Sequence, residues 1–262
     1  MYIYNLKNMK QKEFNLIAHR GFSEKSPENT FPSFDLAIKE GFYNFEFDVQ
    51  LTKDKIPVVI HDNNLIRTTG IQGVISKKKY SELKSLNAKN NFTNLSGEYN
   101  IPRLDELLIK YKNKANLHLE LKSSDQDLPE IVFNYLEDNK WLNSDKSMYE
   151  IGGITISSFY LEQIIRFKYF SNNERTAWLL EKITLKDLHI CKLNKIDLIC
   201  PRASLADKNM VLEALKMNIL VRNWGVSNEI DLINAYNSGS TGTTIDWPTR
   251  GKKIISKFKK NN

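Results

Sequence analysis

Short apolar runs of strand length alternate along the chain with longer stretches whose apolar residues recur at helical spacing. Strands are predicted at 15–20, 45–50, 117–122, 154–158, 176–180, 197–201, 219–224 and 243–247. Helices are predicted between most of these strands, at 32–40, 104–112, 127–139, 160–170, 208–218 and 229–237. This alternation indicates parallel strands that are joined by right-handed crossovers.

Eight such strands in a chain of this length are typical of a (β/α)8 TIM barrel. An open doubly wound sheet is the alternative, but no glycine-rich phosphate loop follows any predicted strand. One polar stretch, about residues 62–101, interrupts the alternation after the second strand. We therefore expect a single α/β domain over residues 1–262, a TIM barrel with a small insertion at this stretch.

The composition is that of an ordinary globular chain, with 41% hydrophobic and 26% charged residues among 262. Its two cysteines, Cys191 and Cys200, suggest neither a disulfide framework nor a zinc site, which fits a reducing compartment. The first 14 residues lack the apolar core of a secretory signal, and no apolar run is long enough to span a membrane. We expect a cytoplasmic protein without stable membrane insertion.

The net charge of +7 fits either solubility or attraction to anionic substrates and surfaces. Basic residues are densest in the tail at 251–260, where Ile254, Ile255 and Phe258 would form the apolar face of a last helix. This pattern favours a helix that docks on the domain over a membrane anchor. No helix-turn-helix, zinc finger or RNA-binding strand is present, so we expect no nucleic-acid partner.

Two predicted strands, 45–50 and 117–122, alternate apolar residues with charged ones. Their apolar faces would meet the helices, and their charged faces would point into the mouth of the barrel. The charged faces include three carboxylates, those of Glu46, Asp48 and Glu120. A buried carboxylate cluster needs positive charge, and Mg²⁺ and Ca²⁺ prefer such oxygen ligands. The alternative is an internal salt-bridge network.

Residues 50–62 read as a β-hairpin around a polar turn at 53–55. Counted back from the turn, Gln50 would lie near Val59 and Asp48 near His61. Paired residues share a face of the sheet, so His61 would return to the level of the carboxylates. His19 ends the first predicted strand, and carboxyl ends of strands are where barrel enzymes place their chemistry.

Two imidazoles in one mouth suit a general acid and a general base. The side chains of Arg20 and Lys122 suit the charge of a phosphoryl group. The seventh strand would carry Arg222 in alternation with Trp224. An inward Arg222 could contact a second anion or could equally be a salt-bridge partner, and the sequence leaves both open.

Several segments resemble the glycerophosphodiester phosphodiesterase family, in the right order over nearly the whole chain. The most specific are AHRG (18–21), PENT (27–30), EFDV (46–49), LTKDKIPVVIHD (51–62) and LIRTTG (65–70). Weaker ones include LHLELK (117–122), VRNW (221–224) and TGTTIDWP (241–248). The resemblance implies a TIM barrel that hydrolyses glycerophosphodiesters to sn-glycerol 3-phosphate and an alcohol. It also implies that the enzyme uses one divalent cation, Mg²⁺ or Ca²⁺.

The resemblance also implies a role for each matching residue. His19 and His61 would be the acid and base, acting through a cyclic phosphate. The metal ligands would be Glu46, Asp48 and Glu120. The substrate would be bound by Arg20 and Lys122 at the phosphate and by Trp224 at the glycerol or alcohol end.

Two alternatives remain beside this small-molecule phosphodiesterase. One is a related enzyme that acts on lysophospholipids, in the manner of a lysophospholipase D, which an exposed apolar rim on the insertion would favour. The other is a non-catalytic protein that binds phosphodiesters, which the loss of a histidine or carboxylate would indicate. Asp246 fits an acidic position of the family, whereas its neighbour Trp247 is unusual there.

Overall fold

The computed structural model describes residues 14–92, 94–142 and 146–261. Its strands, in chain order, form one sheet. They are β1 (Asn15–Ala18), β2 (Asn44–Leu51), β3 (Pro57–Val59), β4 (Asn116–Leu121), β5 (Ile154–Ser158), β6 (Arg175–Leu180), β7 (Leu198–Pro201), β8 (Leu220–Val221) and β9 (Gly242–Ile245).

Eight of these strands run parallel, in the order β8-β7-β6-β5-β4-β2-β1-β9. The two ends of this series meet, because Asn223 and Thr243 form a parallel bridge and the amide of Thr241 donates to the carbonyl of Val221 at 2.7 Å. The sheet is therefore a nearly closed barrel, which confirms the predicted (β/α)8 fold. The short β3 lies outside this ring and pairs antiparallel with β2.

Most helices cover the outside of the barrel, and two short ones lie in the insertion at 62–101. The helices are α1 (Phe31–Lys39), α2 (Ile66–Thr69), α3 (Tyr80–Leu83), α4 (Leu104–Tyr111), α5 (Leu128–Asp138), α6 (Leu161–Phe170), α7 (Leu185–Leu193), α8 (Lys208–Lys216), α9 (Glu229–Asn237) and α10 (Pro248–Asn261). The sequence prediction did not include α7. Its first and last residues, Leu185 and Leu193, are exposed, while Leu188 is buried, so its apolar residues do not mark one face.

The strand β2 shows how alternation separates the core from the barrel interior. Phe45 and Phe47 are fully buried on its outer face, where the ring of Phe34 from α1 stacks on Phe45 at 4.7 Å between centroids. Glu46 and Asp48 point the other way, into the barrel, and are also buried. The apolar side meets the helices, as the sequence predicted, and the carboxylates are enclosed inside.

The insertion at 62–101 has a small core of its own. Its buried apolar residues pack with two from the hairpin, and together they are Val58, Ile60, Leu65, Ile75, Leu83, Ala88 and Ile101. The stretch that the sequence analysis described as polar therefore also contains buried apolar residues. Ile66, Ile71 and Val74 remain exposed on its surface.

The hairpin register differs by one residue from the sequence prediction. Gln50 pairs with Val58, whereas we expected it beside Val59. The predicted pairing of Asp48 with His61 is wrong for the same reason. Such a slip matters because a shift of one residue moves side chains to the opposite face of a strand.

The turn of the hairpin explains the difference. The amide of Thr52 donates to the carbonyl of Ile56 at 3.1 Å, and the hydroxyl of Thr52 accepts from the amide of Ile56 at 2.9 Å. These bonds close the loop one residue earlier than the polar residues alone suggest, with Lys55 in the left-handed region at φ 60°. The local bonding of one threonine therefore sets the register.

The basic tail forms α10, which packs on the barrel through Ile255, with Ile254 and Phe258 partly buried beside it. This confirms the predicted docking helix. No helix in the described part of the chain is both long and apolar enough to cross a membrane. The expectation about a secretory signal falls on residues 1–13, which lie outside the described residues.

Gly21 makes the sharp turn that carries the chain from the first strand into its loop, at φ +79°. A Cβ there would lie 2.6 Å from the carbonyl carbon of Ser33, so Gly21→Ala should lower the free energy of unfolding by about 2 kcal/mol or more. Urea denaturation measures this. Gly41→Ala is the matched control, since Gly41 has φ +82° but nothing within 4 Å of its Cβ position. Equal losses in both variants would mean that the contact with Ser33 contributes nothing.

Candidate active site

One cavity of about 170 Å³ opens at the carboxyl ends of the strands. Seven of the eight predicted site residues line it: His19, Arg20, Glu46, His61, Glu120, Lys122 and Trp224. The eighth, Asp48, lies directly beside Glu46 and Glu120. Further lining residues are Ser157, Phe159, Leu179, Arg222, Gly225 and Thr244. The structure thus brings together all the residues that the sequence singled out.

Three carboxylates form a buried cluster at this cavity. Each of Glu46, Asp48 and Glu120 offers an oxygen, and these oxygens lie within 4.8 Å of one another. The pairing of β2 with β4 creates the cluster, because Asp48 is the register partner of Glu120. Residues that are paired in a sheet share a face, so the alternation of two strands is enough to bring the three groups together.

The cluster perturbs its own ionisation. Burial and the Asp48 carboxylate raise the pKa of Glu46 well above its ordinary value and that of Glu120 to about 7. Burial also opposes the charge on Asp48, but Arg20 and Lys122 outweigh it, and the pKa of Asp48 is lowered. The three groups therefore compete for the available positive charge.

The donor set fits a divalent cation. Glu46 Oε1 and Asp48 Oδ1 are buried and have no hydrogen-bond partner in the described structure. Lys122 Nζ lies 2.7 Å from Glu120 and 3.5 Å from Asp48, and Arg20 Nε lies 3.3 Å from Asp48. Two monovalent cations do not balance three carboxylates, and hard oxygen ligands with free lone pairs are what Mg²⁺ and Ca²⁺ bind.

His61 reaches the cavity although the hairpin register is not the predicted one. The strand β3 ends at Val59, and the side chain of Gln50 then holds the following segment. Gln50 Nε2 lies 3.0, 2.9 and 2.8 Å from the carbonyl oxygens of Ile60, His61 and Asp62. The amide of Ile60 still donates to the carbonyl of Asp48, and the chain leaves the ladder after it, with the Gln50 amide holding the segment that brings His61 to the cavity.

Each histidine of the cavity has an aspartate at Nδ1. His61 Nδ1 lies 2.6 Å from Asp62 Oδ1, and His19 Nδ1 lies 2.6 Å from Asp246 Oδ1. Ser23 donates a further hydrogen bond to Asp246 at 3.0 Å. With Nδ1 engaged, the Nε2 atom of each ring is left for proton transfer. Burial lowers the pKa of His61, which favours its neutral form at neutral pH.

A chain of ion pairs ties His61 to the carboxylate cluster. Arg67, at α2 of the insertion, lies 2.6 Å from Asp62 and 2.6 Å from Glu28. Glu28 in turn accepts from Arg20 at 2.9 Å. Sequence analysis gave no role to Arg67 or Asp62, although both lie inside the segments that carry the family resemblance. The resemblance to the family could therefore have pointed to both residues. The pairing of Arg67 with Glu28, however, spans 39 residues and cannot be inferred from sequence spacing.

Trp224 forms an aromatic wall of the cavity. Its indole nitrogen donates to the carbonyl of Leu180 at 2.9 Å, and the ring of Phe159 meets it edge-on with centroids 4.8 Å apart. Arg202 lies against the Trp224 ring at 4.6 Å and forms an ion pair with Glu181. The tryptophan is thus fixed in place from several sides.

A barrel mouth that holds a carboxylate cluster and two histidine–aspartate pairs is suited to hydrolysis by acid–base catalysis with the help of a cation. The model of the glycerophosphoryl diester phosphodiesterase family matches residues 19–249. This range contains every residue of the site described above. The chain belongs to this family.

Individual relatives agree with the family assignment. A glycerophosphodiester phosphodiesterase of Bacillus altitudinis is 29% identical over 93% of this chain and 99% of its own. A human lysophospholipase D is 27% identical over 92% of this chain and 86% of its own. The solved structure of an Oleispira antarctica phosphodiesterase in complex with the product sn-glycerol-3-phosphate is 26% identical, with a TM-score of 0.81 over 92% of this chain and 96% of that one.

The carboxylate cluster predicts metal binding that depends on pH. Because the pKa of Glu120 is raised to about 7, a cation must displace a proton from the cluster below that pH. The affinity for Mg²⁺ or Ca²⁺ should therefore fall by about tenfold or more from pH 8 to pH 6. Isothermal titration calorimetry in two buffers of different ionisation enthalpy measures both the affinity and the protons released.

The variant His61→Ala serves as the control for this titration, because it removes an ionisable side chain of the cavity that is not one of the three clustered carboxylates. It should keep the same pH dependence. Binding without proton release at pH 6 would show that these carboxylates do not hold the ion.

Proposed function

We propose that this protein hydrolyses glycerophosphodiesters to sn-glycerol 3-phosphate and an alcohol. The observation that carries the proposal is the pair of histidines, each bonded to an aspartate, at a cavity that also holds three buried carboxylates. Membership of the family and the product complex of the Oleispira antarctica relative support the same reaction. The substrate is a small molecule, in keeping with a cavity of about 170 Å³.

Glu46, Asp48 and Glu120 would hold one divalent cation, Mg²⁺ or Ca²⁺. When bound, the cation polarises the phosphodiester and stabilises the charge that develops on its oxygens. Arg20 and Lys122 lie beside the same carboxylates and add positive charge for the phosphoryl group. The ring of Trp224 would pack against the glycerol or the alcohol end of the substrate.

His19 and His61 would move the protons. One imidazole accepts the proton of the glycerol hydroxyl on the carbon next to the ester, and that oxygen attacks the phosphorus. The bond from phosphorus to the alcohol breaks, and the other imidazole donates a proton to the leaving alkoxide. The product of this step is a cyclic phosphate, which water opens with the two roles reversed. The lowered pKa of His61 supports it as the first base, since a neutral imidazole is required for that role.

Asp62 and Asp246 would orient the two rings and stabilise their protonated forms during the reaction. An aspartate at Nδ1 fixes which ring nitrogen carries the proton, as in other acid–base histidines. Arg67 would keep Asp62 in place through its two carboxylate contacts. The insertion thereby contributes to the site without contacting the substrate.

We further propose that residues 1–262 act as one domain in the cytoplasm. Cys191 and Cys200 are both buried free thiols, which suits a reducing compartment.

The direct test measures sn-glycerol 3-phosphate released from glycerophosphocholine by the purified full chain, with added Mg²⁺ or Ca²⁺ and with EDTA. We expect turnover that EDTA abolishes and that either cation restores. Binding of the diester without turnover in any divalent metal would favour the non-catalytic alternative. Turnover that EDTA leaves unchanged would contradict a metal-dependent reaction.

A lysophospholipid substrate is the second candidate function. Ile66, Ile71 and Val74 are exposed apolar residues of the insertion, and Phe159 is partly exposed at the cavity. An acyl chain could lie against such side chains. Choline release from lysophosphatidylcholine, run beside the glycerophosphocholine assay, separates the two functions by their ratio of kcat/KM.

The variant His61→Ala should lower kcat by about 10²- to 10⁴-fold, the usual contribution of a general acid or base. Its affinity for the divalent cation should change by much less, because His61 is not among the clustered carboxylates. The matched control is His189→Ala, which removes an exposed histidine on α7. Equal losses of turnover and metal affinity in His61→Ala would make His61 a ligand or a structural support.

A further inference from the structure

Arg222 follows β8 and lines the cavity, although only 1% of its surface is exposed. The sequence left it as either an anion contact or a salt-bridge partner. No carboxylate of the described residues lies within ion-pair distance of its guanidinium, and its Nε and Nη1 atoms have no hydrogen-bond partner there. Arg222 is therefore not a salt-bridge partner within the described part of the chain.

The charge of Arg222 is not compensated by a paired carboxylate among the described residues. Glu46 attracts it, but from beyond ion-pair distance, and its stronger electrostatic neighbours are the Cys200 thiol and the Tyr149 hydroxyl. Burial raises the pKa of both groups, so both are neutral at physiological pH.

Arg222 differs in this respect from the other two cations of the cavity. Arg20 is paired with Glu28 and Asp48, and Lys122 is paired with Glu120. A guanidinium does not deprotonate in proteins, and a buried charge without a partner is costly. A divalent cation at the carboxylates would bring further positive charge, so the group that Arg222 lacks is an anion.

We propose that Arg222 forms an anion subsite in the interior of the cavity, where it binds an oxyanion of the bound ligand. The identity of that ligand as a phosphodiester rests on the proposed function. The oxyanion is either the phosphoryl group that all such diesters share or a second anionic group, such as a carboxylate, in the alcohol portion. Ser157 and Thr244 line the same cavity and add hydroxyl groups to it.

The first test uses inorganic phosphate as the probe and does not depend on turnover. Isothermal titration calorimetry compares the wild-type chain with Arg222→Gln and Arg222→Lys, once with Mg²⁺ and once with EDTA. Arg222→Gln should bind phosphate at least about tenfold more weakly, as expected for the loss of a hydrogen bond to a charged group. Arg222→Lys should fall between the two, because lysine keeps the charge but not the planar fork.

Arg250→Gln is the matched control. Arg250 is exposed, lies over the ring of Trp247 at 4.1 Å and does not line the cavity. Its removal should leave phosphate affinity unchanged. The proposal would be overturned if Arg222→Gln bound phosphate as tightly as the wild-type chain does. It would also be overturned if the wild-type chain bound no phosphate, either with Mg²⁺ or with EDTA. If Arg222→Gln does not fold, Arg222→Lys decides, and an unchanged affinity in that variant counts against the subsite.

Kinetics then identify which oxyanion is bound. With glycerophosphocholine and glycerophosphoserine as substrates, an equal rise in KM in Arg222→Gln places the phosphoryl group at Arg222. A rise confined to glycerophosphoserine places the carboxylate of the alcohol there. Both results support the subsite, whereas unchanged KM values for both substrates contradict it. Should the chain hydrolyse no diester, phosphate affinity that depends on Arg222 would still uphold the subsite while the proposed function fails.

Discussion

The mutual repulsion of three buried carboxylates is the constraint on which the site depends. Two paired strands bring Glu46, Asp48 and Glu120 within a few ångströms of one another inside a barrel that excludes water. Such a cluster is unfavourable without nearby positive charge. Arg20 and Lys122 supply part of it, and a divalent cation would supply the rest. The free energy that the apolar outer faces gain by burial against the helices offsets the cost of this interior.

The same constraint explains why the insertion matters to the site. Arg20 is shared between the cluster and Glu28, and Glu28 is shared between Arg20 and Arg67. Arg67 comes from the insertion and also holds Asp62, the partner of His61. A change in the insertion therefore reaches both His61 and the charge balance of the carboxylates. Arg67 lies two residues after Leu65, which is part of the small apolar core of the insertion.

Most of the barrel could be predicted from the sequence because strands and helices differ in the period of their apolar residues. The carboxylates were found for the same reason, since they interrupt that period on one face of β2 and β4. The hairpin register was not predicted, because the bonds of Thr52 to Ile56 decide it locally. The contacts of Arg67 were not predicted either, because charged groups far apart in sequence leave no periodic signal. The helix α7 was not predicted because its terminal leucines are exposed.

The corrected register changes how the histidine and the carboxylates are related. Glu46, Asp48 and Glu120 are placed by backbone ladders, which fix their spacing rigidly. His61 lies just beyond its ladder, since the amide of Ile60 still donates to the carbonyl of Asp48. The Gln50 side chain holds the segment that follows, and it has two N–H groups for three carbonyl acceptors, so at least one of these contacts is shared or weak. Asp62 and Arg67 supply the remaining contacts, so His61 is held by side chains whereas the carboxylates are held by backbone ladders.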